Sequence, residues 1–152
     1  IGASQESSAT QMKNAISGIP VGRAMLTDYK SLSPRDTLER MGQLILAGSQ
    51  HDFPVIDNER VIGVVTRDDF LNALTRNGHN LAVSAIMKNN LPEVDSYEMV
   101  EVALMRIQES GVPALPVTHA GQLVGIVTSE NITEYLMIRS ALRHAASGIN
   151  GI

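Results

Sequence analysis

Apolar positions along this chain follow two rhythms, helical three- and four-residue spacing and short β-branched runs, and the sequence of rhythms occurs twice. Leu38, Met41, Leu44 and Ile45 share one helical face that runs to Ala47, where Gly48 supplies a stop. Ser33-Pro34 followed by Asp36 predicts the start of that helix, with a cap, a first-turn proline and a first-turn acid. Residues 30–32 read as a short extended piece ahead of it. Residues 53–56 and 61–65 are runs rich in β-branched side chains, and Asp57-Asn58-Glu59-Arg60 between them predicts a tight hairpin. A second helix follows Thr66.

The later half repeats the scheme. Asp95 with Glu98 predicts the cap of a helix carrying Val102, Met105 and Ile107. Residues 115–118 and 123–127 pair around Ala120-Gly121, and a longer helix over 129–146 carries Ile132, Tyr135, Leu136, Ile138 and Leu142 as its apolar stripe. The register between halves is constant at 62 residues: Met25 answers to Met87, Glu39 to Glu101, Pro54-Val55 to Pro116-Val117, and Gly63, Val65 and Thr66 to Gly125, Val127 and Thr128. An unbroken offset means one local geometry used twice. The expected organisation is a polar leader over 1–19 with a short helix over 4–17, a first repeat over 20–77, a bridge over 78–90, a second repeat over 91–146 and a tail over 147–152. Each repeat is β-α-β-β-α, an α+β fold.

Composition narrows the function classes. Two units of about 60 residues would each be marginal alone, so the halves are expected to share a core. No cysteine is present, which removes disulfides and thiolate metal sites and suits a reducing, cytoplasmic setting. A net charge of −4, aromatics at 3% and no Lys/Arg stripe argue against nucleic acid. No apolar run approaches the roughly 18 residues that a membrane span needs. His51, His79, His119 and His144 show no paired helical spacing, so no metal is expected. No Ser-His-Asp or paired-carboxylate arrangement follows from spacing, and enzymatic chemistry is not expected of this chain.

Gly-hydrophobic-hydrophobic-Thr-x-x-acid closing a hairpin, with Pro-Val in the preceding strand and a capped helix before that, resembles the cystathionine-β-synthase (CBS) domain in its usual tandem, over residues 21–143. The resemblance implies two three-stranded sheets packed in pseudo-two-fold symmetry, a homodimer formed through the helices after Thr66 and Thr128, and regulatory binding of an adenosine compound (AMP, ADP, ATP or S-adenosylmethionine) in clefts between the copies. A narrower set of strings, Gly48-Ser49-Gln50-His51-Asp52-Phe53-Pro54-Val55, Thr66-Arg67-Asp68-Asp69 and Glu134-Tyr135-Leu136-Met137-Ile138-Arg139, with Ile1-Gly2-Ala3 and Gln5-Glu6, is similar to the C-terminal region of bacterial site-2-type membrane zinc metalloproteases. That likeness implies a piece of a longer, membrane-bound protein. The His-Glu-x-x-His string that would hold its zinc does not occur here.

Residue chemistry gives the implied site its candidates. One ionised carboxylate can accept both hydroxyls of a ribose, and Asp69 is placed to do so. Thr66 and the free amides of the following helix N-terminus suit a phosphate, with Arg67 adding a charge-assisted contact. As the family implies, Phe53, Pro54 and Val55 and the segment near Asp28 line the adenine, with His51 close by and the Pro54 carbonyl exposed. The equivalent second site would use Thr128, Asn131, Leu115 and Pro116. Asn131 offers one acceptor oxygen where the first copy has a carboxylate, and Glu130 would disfavour phosphate, so one good site on Asp69 and one weak site are expected. Thr-x-x-Asp before an apolar helix is also close to a capping box, which leaves a ligand-free dimerisation or scaffold module as the alternative.

Overall fold

The computed structural model describes residues 18–150, with side chains through Ala146. The helix expected over 4–17 lies outside the described residues. In chain order the elements are a short helix α1 (Val21–Ala24), α2 (Leu38–Ala47), β1 (Phe53–Asp57), β2 (Arg60–Val65), α3 (Arg67–Asn77), a 3₁₀ turn (Val83–Ala85), β3 (Val94–Asp95), α4 (Val100–Ser110), β4 (Ala114–His119), β5 (Gln122–Thr128) and α5 (Ser129–Asn150). β1 and β2 form an antiparallel hairpin, and β3-β4-β5 form a mixed sheet with β3 parallel to β4. In the first copy the third strand shrinks to one parallel bridge, Leu32 to Val55, at the place where Val94 meets Val117 in the second.

Both hairpins turn through two consecutive residues at positive φ, Asn58 and Glu59 in one and Ala120 and Gly121 in the other. Such turns match the right-handed twist of the flanking strands. Both carry a bulge at equivalent places, after Val55 and after Val117.

Two helix starts differ from the sequence reading. α2 begins at Leu38, capped by Thr37, whose side chain accepts the Arg40 N–H. Asp36 instead folds back on the Ser33 N–H at 2.8 Å, so Ser33-Pro34-x-Asp36 closes a turn before the helix. Likewise α4 begins at Val100, and Glu98 accepts the Asp95 N–H at 3.0 Å in a turn of the same kind. Side-chain acceptors three residues away serve turns and caps equally well, so the string alone does not place the first helical residue. On α4 the buried face is Val100, Ala103 and Ile107, while Met105 faces outward.

The copies exchange their leading segments. Leu26 pairs antiparallel with Ile126 of β5, and Lys88 pairs antiparallel with Val64 of β2, each through two backbone hydrogen bonds of 2.7 to 3.0 Å. Ile19, Val21 and Ala24 are buried among Val94, Val100, Ala103, Leu115 and Ile132 of the second copy, and Val83 is buried among Leu38, Phe53 and Val65 of the first. Ile19 is therefore core, although the leader was expected to include it. Val64, Ala114 and Ile126 form a small third cluster where the copies meet. Room for the crossing comes from Gly63 and Gly125. A Cβ on Gly63 would lie 2.8 Å from both the Lys88 carbonyl and Met87 Sδ, and one on Gly125 would lie 2.7 Å from Met25 Sδ and 2.9 Å from the Leu26 carbonyl. Met25 and Met87 thus pack as equivalent plugs over equivalent glycines.

Candidate functional site

Two clefts lie beside the crossed segments, and the larger of them is lined by residues of both copies. The larger, of about 650 Å³, takes Asp28 and Lys30 from the first leader, residues 47–52 from the end of α2, and Ile126, Thr128, Glu130, Asn131 and Glu134 from the second copy. The smaller, of about 530 Å³, is lined by Lys88, Asn90, Pro92, Arg106, Glu109 and Val112 among others. Lys88, Asn90, Pro92, Arg106 and Glu109 are the counterparts, at the constant offset, of Leu26, Asp28, Lys30, Leu44 and Ala47. These are two pseudo-symmetric versions of one cleft.

The candidate residues therefore sort differently from the sequence reading. Asp28 and His51, expected around Asp69, line the larger cleft with Thr128 and Asn131. The reason is the strand exchange, which carries the segment of Asp28 to the far copy's β5. Thr66 and Asp69 belong to the other side, where Asp69 Oδ2 lies 3.6 Å from Lys88 Nζ. Phe53, Val55 and Leu115 are wholly buried, Pro54 and Pro116 are buried, and none of the five lines either cleft. The Pro54 carbonyl, expected to be exposed, accepts the Leu32 N–H at 2.9 Å. Arg67 is exposed at the start of α3.

Both threonines cap. Thr66 Oγ1 accepts the Asp69 N–H at 3.2 Å, and Thr128 Oγ1 accepts the Asn131 N–H at 2.9 Å. Each hydroxyl keeps its proton free to donate, so capping and ligand contact are compatible. Asp69 Oδ2 is buried and, among the described residues, has no hydrogen-bond donor, its one close cation being Lys88. An acceptor in that state costs free energy unless a donor reaches it, and a ribose hydroxyl is a donor of the right kind.

Two lining residues carry structure that the sequence reading did not assign. Gln50 clamps the first leader: its Oε1 accepts the Lys30 N–H at 2.7 Å, and its Nε2 donates to the Lys30 and Asp52 carbonyls at 2.9 and 2.8 Å. One amide side chain thereby ties the first leader to the segment that enters β1, and a loop glutamine has no periodicity by which to be noticed. Asp52 has its pKa raised by burial, against a hydrogen bond from the Arg67 N–H and the nearby His51, with Glu130 and Asp68 adding repulsion. Its neighbours come from both copies. Among the described residues no helix is long and apolar enough to cross a membrane, and no cluster of histidine and carboxylate side chains is arranged to hold a metal.

Comparison with known proteins agrees with this architecture. The chain is 27% identical over 111 residues to an inosine-5'-monophosphate dehydrogenase of Korarchaeum cryptofilum, a match that covers 71% of this chain and 22% of that protein. The chain thus spans about a fifth of that relative. The crystal structure of CBSX2 in complex with AMP superposes with a TM-score of 0.66 at 25% identity, covering 84% of this chain and 99% of that one. The CBS domain pair of protein MJ0100, in complex with 5'-methylthioadenosine and S-adenosyl-L-methionine, gives 0.71 at 20% identity, covering 79% and 97%. The CBS domain model matches twice, over residues 21–76 and 83–138, which are the same positions displaced by the repeat offset and begin where the crossed segments begin. With two matched copies, an α+β fold and a cleft shared between copies, this chain belongs to the CBS domain family as a tandem pair, a regulatory rather than a catalytic unit.

Proposed function

We propose that this chain is a sensing module that binds an adenosine-containing ligand between its copies and passes the occupancy to an attached effector. The observation that carries the reading is the division of the larger cleft: Asp28 and Lys30 on one wall and Thr128, Glu130 and Asn131 on the other belong to different copies. A ligand touching both walls has a different affinity for each relative placement of the copies, which is what coupling requires. An adenine nucleotide (AMP, ADP or ATP) or an adenosyl compound without phosphate, met in the cell interior, is the expected ligand class, supported by the AMP held by CBSX2 and the adenosyl compounds held by MJ0100. For the effector, the string likeness to site-2-type membrane zinc metalloproteases supports a protease on the cytoplasmic side of a membrane, and ligand-dependent cleavage by the full-length protein would test it. Outer-face apolar residues on α3 and α5 support a homodimer.

A melting-temperature screen with adenosine, AMP, ATP and S-adenosylmethionine tests the core of this reading. A ligand at a hundredfold excess over Kd stabilises the fold by about 2.7 kcal/mol, a rise of several degrees. Asp69→Ala and Asn131→Ala then assign the response to one cleft or the other. The capping bonds of Thr66 and Thr128 favour a second reading, a ligand-free scaffold in which the motif serves the helices alone. No shift with any of the four compounds would leave only that reading.

A further inference from the structure

We propose that the larger cleft selects by charge, taking an adenosyl ligand that is neutral or cationic and rejecting one that bears phosphate; this rests on the sensing function proposed above. Among the described residues four carboxylates line that cleft, Asp28, Asp52, Glu130 and Glu134, against one ammonium, Lys30, and the imidazole of His51. The fold does not demand them. At the constant offset, Asp28, Asp52 and Glu134 answer to Asn90, Ala114 and Asn72, all uncharged. Only Glu130 has an acidic counterpart, Asp68.

Apart from Lys30, the feature of this cleft that would welcome a phosphate is the N-terminus of α5, and it is already partly engaged. Glu130 sits in its first turn, and the Asn131 amide is given to Thr128 Oγ1 at 2.9 Å. A carboxylate there offsets the positive end of the helix dipole. Phosphate oxygens brought beside Glu130 and Glu134 would meet like charge in a partly desolvated space, where Coulomb repulsion is stronger than in water. Ribose hydroxyls, an adenine amine or a sulfonium centre meet acceptors and opposite charge instead. The smaller cleft carries the other balance, Lys88 and Arg106 with Glu109.

Methyl NMR titration of the whole chain tests the inference, because Leu26 and Leu44 report on the larger cleft and Leu91 and Val112 on the smaller. Adenosine and S-adenosylmethionine are expected to move Leu26 and Leu44 with Kd at least about tenfold below that of AMP at the same methyls. In Glu130→Gln/Glu134→Gln the ratio of AMP affinity to adenosine affinity at these methyls is expected to rise about tenfold. AMP binding there as tightly as adenosine in the wild type, or a ratio that the double substitution leaves unmoved, would overturn charge selection while sensing stands. If none of the compounds moves the methyls of any of the four residues, the sensing function fails and charge selection with it.

Discussion

A single methyl group at Gly63 or Gly125 meets the backbone of the crossing segment, and a carbonyl in a paired strand cannot step aside as a side chain can. Gly63→Ala and Gly125→Ala are each expected to cost about 1–3 kcal/mol in denaturant titration, the range for overpacking a tight site; a cost near zero would mean that the crossing is looser than the contact distances of 2.7 to 2.9 Å imply. Asp52 gives a pH prediction. Its pKa lies above the ordinary 3.8, so the folded state holds the proton more tightly than the unfolded chain, and ionisation costs stability as pH rises through the folded value. Asp52→Asn keeps an oxygen for the Arg67 N–H and is expected to melt higher than the wild type at pH 7, the gain closing as pH falls toward 3.8. Glu98 has the opposite sign: its bond to Arg106 lowers its pKa, so the stability it contributes is lost as pH falls below the usual 4.5. The capping threonines and the hairpin turns were legible residue by residue, since their bonds span three positions or fewer. The Asp69–Lys88 pair was not, because nothing local to Lys88 says which copy's helix it will meet.

At the scale of elements, α3 and α5 leave apolar side chains on their outer faces. Leu71 and Leu74 on α3 and Met137, Ile138 and Leu142 on α5 are exposed, Met137 and Leu142 by 67% and 66%. The stripe read for α5 therefore divides: Ile132 is buried, Tyr135 and Leu136 are partly covered, and Ile138 and Leu142 face outward. A stripe wider than its own sheet needs is the pattern of a helix with a second partner. Light scattering is expected to give twice 16.4 kDa at tens of micromolar, and Ile138→Glu/Leu142→Glu is expected to return the mass to 16.4 kDa with the fold intact. A wild-type mass of 16.4 kDa at that concentration would defeat the dimer. Strand and helix types followed from periodicity, but the starts of α2 and α4 moved because turn and cap use the same side chains.

For the whole molecule, the repeat and its offset were plain in the sequence, whereas the exchange of leading segments was not. Pairing between Leu26 and Ile126 leaves no local periodicity, and a short apolar segment reads the same whether it packs on its own copy or on the other. Sharing one core was expected from size; the mechanism is that Ile19, Val21 and Ala24 complete one cluster and Val83 completes the other. Residues 18–78 and 80–150 made as separate chains are expected to lack cooperative thermal unfolding by circular dichroism and to regain it when mixed. A sharp melt from either half alone would show that the exchanged segments are dispensable.

The exchange also sets an order in time. Lys88 follows closely on Val64, so the first hairpin can receive its partner segment as soon as residues 83–88 leave the ribosome, while Leu26 has to wait for Ile126, which is made much later. Closing the longer loop is the costlier and slower event. In refolding, Leu26→Ala is accordingly expected to act mainly on the unfolding rate and Val64→Ala on the folding rate, and the reverse pattern would argue against this order. An early-made segment is then seated late, and the larger cleft, which it walls with Asp28 and Lys30, is completed only once the stretch from Ile126 to Glu134 has been synthesised.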